Sequence, residues 1–70
     1  MIATFFRMNS QDKLATLDVD YVPSKGMNVT LPTRGKVRKT FRVMDVCIDY
    51  QVVAETPCQV VLATAVVYVE

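Results

Sequence analysis

Along most of this chain, apolar and polar residues trade places at every second position. In the opening stretch Ile2, Thr4, Phe6 and Met8 share one side, and Ala3, Phe5 and Arg7 take the other. After the polar, turn-like Asn9–Lys13, residues Ala15, Leu17, Val19 and Tyr21 alternate with Thr16, Asp18 and Asp20. A period of two places alternate side chains on opposite faces of a strand, so this second segment reads as half-buried, apolar inward and charged outward. A short third strand follows, with Met27, Val29 and Leu31 alternating with Asn28 and Thr30. It is bracketed by Pro23-Ser24-Lys25-Gly26 and Pro32-Thr33-Arg34-Gly35, two turns of the same P-x-[K/R]-G form. Proline presets the first corner of such a turn, and glycine accepts the positive φ at its exit.

The fourth segment changes phase. Val37, Phe41 and Val43 lie on odd positions, with Arg38, Thr40 and Arg42 between them; then Val46, Ile48, Tyr50 and Val52 are even, and Asp45, Asp49 and Gln51 odd. A sheet keeps such a pattern only by inserting an extra residue, which predicts a bulge near Met44 or Asp45. Ala54-Glu55-Thr56-Pro57 makes the last turn, and Cys58–Val69 is apolar on both faces: Val60, Leu62, Val66 and Tyr68 on one, Val61, Ala63, Ala65, Val67 and Val69 on the other.

These elements predict an all-β fold, a small five-stranded SH3-like barrel or roll with a bulged fourth strand, formed by residues 1–70 as a single domain. An OB-type barrel is the alternative, although such folds carry a helix and no helical period occurs here. A strand apolar on both faces either lies centrally or meets another chain. The row Val61, Ala63, Ala65, Val67 and Val69 is therefore expected to form a homodimer interface, unless the N-terminal segment with Phe5 covers it.

At 70 residues, self-association would add to a modest core. A chain of this size buries only about 60% of its unfolded surface, and its core supplies roughly 3–5 kcal/mol. A metal is not expected, since there is no histidine and Cys47 and Cys58 lack ligand spacing. The two cysteines are expected to be small buried residues rather than a disulfide scaffold. The apolar C-terminal run falls short of the ~18 residues of a membrane span, and the N-terminal run is too short for a signal peptide. A cytoplasmic protein with no membrane contact is expected. With a net charge of +1, any electrostatic partner is recognised by a local patch.

The string LDVDYVPSKGMNVTLP (Leu17–Pro32), followed by FRVMDVCIDY (Phe41–Tyr50), resembles short β-rich proteins encoded by phages and other mobile elements. The shared pattern is an acidic-aromatic strand, a proline-glycine turn, a short strand, and an R-V-x-x-V strand ending in an acidic-aromatic pair. The resemblance covers about half the chain. It implies a small barrel of mobile-element origin, acting on a host or defence protein by inhibition or modulation, and carries no site residues across.

Catalysis finds little support. Ser10 and Ser24 fall in turns with no neighbouring base, and both glycines, Gly26 and Gly35, belong to turns rather than to a phosphate loop. Asp18 and Asp20 share a face about 7 Å apart, as a solvated strand face does. No catalytic residue, cofactor or metal is expected. The one marked feature is Thr33–Arg42, TRGKVRKTFR, which holds five positive charges and no negative ones. Arg34, Lys36, Arg38 and Arg42 would line one face of an extended strand, and they are the expected partner-binding residues. A nucleic-acid reading would add Lys39, but Phe41, Tyr21, Tyr50 and Tyr68 all fall in apolar registers, leaving no stacking platform. Cross-strand pairing of the basic row with Asp18 and Asp20 is the purely structural reading. The expected function is thus a homodimeric interaction module with a protein partner. A nucleic-acid-binding barrel is the alternative, and a small-ligand sponge at a dimer seam the third reading.

Overall fold

The computed structural model describes residues 1–33 and 37–70, so Arg34 and Lys36 of the expected binding row lie outside the described residues. Five strands form: β1 (Ile2–Arg7), β2 (Lys13–Asp18), β3 (Asn28–Pro32), β4 (Arg38–Ala54) and β5 (Val60–Val69). They make one curled sheet in the order β2-β1-β5-β4-β3. All neighbours are antiparallel except β1 and β5, which run parallel with Ile2 opposite Thr64 and Arg7 opposite Val69. The end strands β2 and β3 approach each other without a shared ladder, so the sheet nearly closes into a five-stranded barrel. Among the described residues no helix is long and apolar enough to cross a membrane.

One row of each strand turns inward. Ala3 and Phe5 of β1, Leu31 of β3, Phe41 and Val43 of β4, and Ala65, Val67 and Val69 of β5 are buried and pack as one core. Each full burial of a valine, leucine or phenylalanine is worth roughly 1.5–3 kcal/mol. Among the described residues no polar or charged side chain is buried with them. The turn before β3 forms as the sequence predicts: Met27 N–H donates to the Ser24 carbonyl at 3.1 Å, and Gly26 takes φ of 92°. The ladder of β4 against β5 skips a residue between Val43 and Asp45, the bulge demanded by the change of phase. The Asp45 carboxylate accepts from the Val46 N–H at 2.9 Å and so satisfies a donor beside that bulge.

Beyond the bulge the barrel ends but the hairpin continues. β3 pairs with β4 only through Arg42, and β1 pairs with β5 only from Thr64 onward. The remainder of β4 and the start of β5 leave the body as a two-stranded arm, and the molecule measures 46 × 23 × 21 Å. Residues opposite one another in a ladder share a face. The inward row therefore runs on along the arm as Val46, Ile48, Tyr50 and Val52, opposite Val67, Ala65, Ala63 and Val61.

Several expectations change at this point. Ala65, Val67 and Val69 are buried in their own core beside Phe5, so they do not form a dimer interface; of the expected row only Val61 and Ala63 belong to the arm. The central position of β5 between β1 and β4 buries only its inward row from Ala65 to Val69, and Val60, Val61 and Leu62 at its start stay exposed. Cys47 and Cys58 are exposed free thiols, because the arm that carries them has nothing packed on it. Tyr21 stands 71% exposed, since β2 ends at Asp18 and the chain turns away before that tyrosine reaches the core.

Candidate partner-binding site

The end of the barrel opposite the arm forms a cationic mouth. There β1 and β5 end, β2 and β4 begin, and a cleft of about 910 Å³ opens, lined by Arg7, Asp12, Lys13, Leu14, Thr33, Val37 and Lys39. Sequence register explains the gathering. Arg7 follows Ala3 and Phe5 along the inward row of β1, and Lys39 precedes Phe41 and Val43 along that of β4. Where the apolar rows reach the barrel's rim, the next residue inward-facing on each strand is a cation whose stem covers the core while its charge reaches water. The Arg7 guanidinium carbon lies 5.7 Å from the centre of the Phe41 ring, within cation–π range.

Local hydrogen bonds hold both sides of the mouth. Arg7 N–H donates to the Asp12 carbonyl at 2.8 Å, and Gln11 N–H donates to the Arg7 carbonyl at 2.7 Å, with Gln11 at φ of 57°. This tight connection brings Lys13 opposite Phe6. Across the opening, Thr33 N–H donates to the Val37 carbonyl at 2.8 Å, and the Thr33 hydroxyl donates to the same oxygen. Asp12 is the one carboxylate among the described residues of the lining, and its Oδ2 accepts from the Ser10 hydroxyl at 3.0 Å. Among the described residues, Arg7, Lys13 and Lys39 thus share the lining with a single carboxylate.

Of the expected binding row, Arg38 and Arg42 fall on the outward face of β4, opposite Pro32 and Asn28 of β3. Between them Thr40 and Thr30 share a hydroxyl–hydroxyl bond of 3.0 Å. The cross-strand pairing with Asp18 and Asp20 is not made, because β2 and β4 are not neighbours in the sheet. The one ion pair among the described residues joins Asp18 to the Met1 amine at 3.1 Å, both partly exposed. Asp18, Asp20 and Tyr21 instead line a second cleft of about 470 Å³ in the seam between β2 and β3. Among the described residues no three cysteine, aspartate or glutamate side chains are grouped to hold a metal ion.

Arg7, Lys13 and Leu14 are the functional candidates that the pattern along the chain did not single out. Only the register of Lys13 against Phe6 and the burial of Phe41 under Arg7 bring them to Lys39, and neither is written in any local motif. No protein-family model, curated protein or solved structure matches this chain.

Proposed function

We propose that this chain is a non-enzymatic interaction module that grips an acidic segment of a protein partner in its cationic mouth. The observation that carries the reading is the convergence of Arg7, Lys13 and Lys39 on one cleft whose only carboxylate among the described residues is Asp12. Arginine and lysine in a partly enclosed concavity favour carboxylate-bearing ligands, and the Arg7 fork is steadied by its ring contact. Leu14 and Val37 in the same lining add apolar contact for the partner's side chains. The resemblance to mobile-element proteins makes a host or defence protein the partner, with stoichiometric inhibition or modulation as the effect.

Nucleic acid is the second reading, favoured by Arg38 and Arg42 on the adjoining outward face. Against it, Tyr21 and Tyr50 are the most exposed aromatic residues and both lie away from the mouth, while Phe41 is only 6% exposed beneath Arg7. Bases would find cations without a surface to stack on.

The test is fluorescence anisotropy at 50 mM salt with a labelled ten-residue Asp/Glu-rich peptide and with single-stranded and duplex oligonucleotides. Micromolar peptide binding, weakened at least ten-fold by Lys13→Glu with Lys39→Glu, is the expected result. Peptide binding indifferent to that double reversal, or absent, refutes the reading. Oligonucleotide binding tighter than the peptide's, and abolished by Arg38→Glu with Arg42→Glu, puts nucleic acid in its place.

A further inference from the structure

The apolar surface of this molecule is concentrated at one end. Of the thirteen large hydrophobic side chains exposed among the described residues, seven lie on the arm: Ile48, Tyr50, Val52, Val53, Val60, Val61 and Leu62. Four more, Met1, Ile2, Tyr21 and Met27, ring the barrel end from which the arm departs. Only Met8 and Val37 lie elsewhere, near the cationic mouth. Monomeric proteins rarely leave so many large apolar side chains uncovered at one end. A two-stranded ribbon by itself is also marginal in water.

We infer that this surface is a homodimer interface, in which the arms of two copies pack inner face to inner face with their bodies at opposite ends. Two observations select a second copy as the occupant. The first is shape. The arm projects from one end of a molecule 46 Å long and 23 Å wide, so a two-fold axis can lay two arms side by side. Each arm lies along its partner's arm, and each tip reaches the partner's barrel end.

The second observation is charge. The inner row of the arm, Ile48, Tyr50 and Val52 opposite Ala65, Ala63 and Val61, contains no ionisable carboxylate or cation. Asp45, Asp49 and Gln51 all fall on the other face, opposite Tyr68, Thr64 and Leu62. Along the arms two copies therefore meet without opposing like charges, and Asp45 and Asp49 stay in water. A foreign partner would find no charged group on that row to set its register. On the inner face and the adjoining barrel end, Ile48, Tyr50, Val52, Val61, Met1, Tyr21 and Met27 are the exposed large side chains that such an interface, of ~800 Å² per partner, would cover.

The seam differs from the row that the sequence alone suggested, since Ala65, Val67 and Val69 remain in the core and the contact moves outward to Ile48, Tyr50, Val52 and Val61. It is also independent of the mouth, which lies at the far end of each body. A dimer of this form presents two mouths facing away from each other, so a partner with two acidic segments would be held bivalently.

Sedimentation equilibrium tests the inference from 1 to 500 µM. The wild-type chain of 7.9 kDa is expected at twice that mass, 15.8 kDa. Tyr50→Glu and Val52→Glu, each placing a charge in the seam, are expected to give monomers with unchanged circular dichroism and at least 100-fold weaker association. Gln51→Glu, on the opposite face, is expected to leave the dimer intact. Small-angle scattering of the wild type needs no variant. With about 25 Å of arm overlap, from ~3.4 Å per strand residue, the dimer is expected to span about 70 Å. A wild-type monomer at 500 µM, a polymer growing with concentration, a dimer that survives both substitutions, or a tip-to-tip length of about 90 Å would each overturn it.

Discussion

The guanidinium of Arg7 lies over the ring of Phe41, 5.7 Å from its centre, so one residue both closes the core and charges the mouth. At such a partly exposed site the contact is worth about 0.5–1 kcal/mol. Arg7→Ala is therefore expected to lower the urea midpoint by that equivalent and to weaken acidic-peptide binding as well. Arg7→Lys, which keeps the charge and loses the flat fork, is expected to retain most of the binding and little of the ring contact. Urea titration read beside peptide anisotropy separates the two effects.

The body and the arm are expected to respond differently to truncation. Leu31 is 2% exposed within the core, and Leu31→Ala is expected to cost about 2–5 kcal/mol. That is comparable with the whole stability of a core this size, roughly 3–5 kcal/mol, so the variant is expected to be largely unfolded by circular dichroism at 25 °C. Leu62 is 53% exposed on the outer face of the arm, and Leu62→Ala is expected to stay within about 0.5 kcal/mol of the parent. A large loss at Leu62 would show that the arm is packed against the body in solution.

Deleting Met44 removes the extra residue between Val43 and Asp45. Without it, Val43, Asp45 and Val46 become consecutive rungs opposite Val69, Tyr68 and Val67, so Val46, Ile48, Tyr50 and Val52 keep the inner face and Asp45 and Asp49 the outer one. The deletion is therefore expected to keep native-like circular dichroism, as is Met44→Ala; loss of the native spectrum on deletion alone would show that the bend at the bulge is needed to close the barrel.

Gly26 occupies φ of 92° with no atom within 4 Å of where a side chain would begin. Gly26→Ala thus meets no steric contact and is penalised only through its backbone, by about 1–2 kcal/mol. Asparagine tolerates left-handed geometry better, so Gly26→Asn is expected to cost less than Gly26→Ala in the same thermal melt.

These substitutions mark what the sequence made legible and where it stopped. The alternation of Ala15 and Leu17, the turn at Gly26 and the phase change after Val43 are local signals, and each produced the expected element. The last strand is different. Its two rows are almost equally apolar, so periodicity shows which residues share a face but has no means of choosing the inward one. Alternation is equally silent about coverage: Ile48 and Tyr50 continue the register of Val43 and Val46, yet the barrel ends beside them and they emerge into water. The mouth was hidden for another reason. Arg7, Lys13 and Lys39 come from separate strands, and only the pairing of Phe6 with Lys13 and the stacking of Arg7 on Phe41 assemble them. The conspicuous run Thr33–Arg42 drew attention to one face of one strand, while the cleft depends on the rim of three.

The parallel pairing of β1 with β5 also governs when the protein can exist. Ile2 to Arg7 find their inner neighbours only in Thr64 to Val69, so the first strand made waits on the last for its central partner. On the ribosome, β1 and β2 can meet early, but no sealed interior forms until β5 has left the exit tunnel. Such wide separation along the chain slows closure, because loop entropy is lost before the long-range contacts repay it. A nascent chain stalled before residue 64 is therefore expected to be protease-sensitive throughout, and protection is expected to arise in one step once β5 emerges, rather than strand by strand.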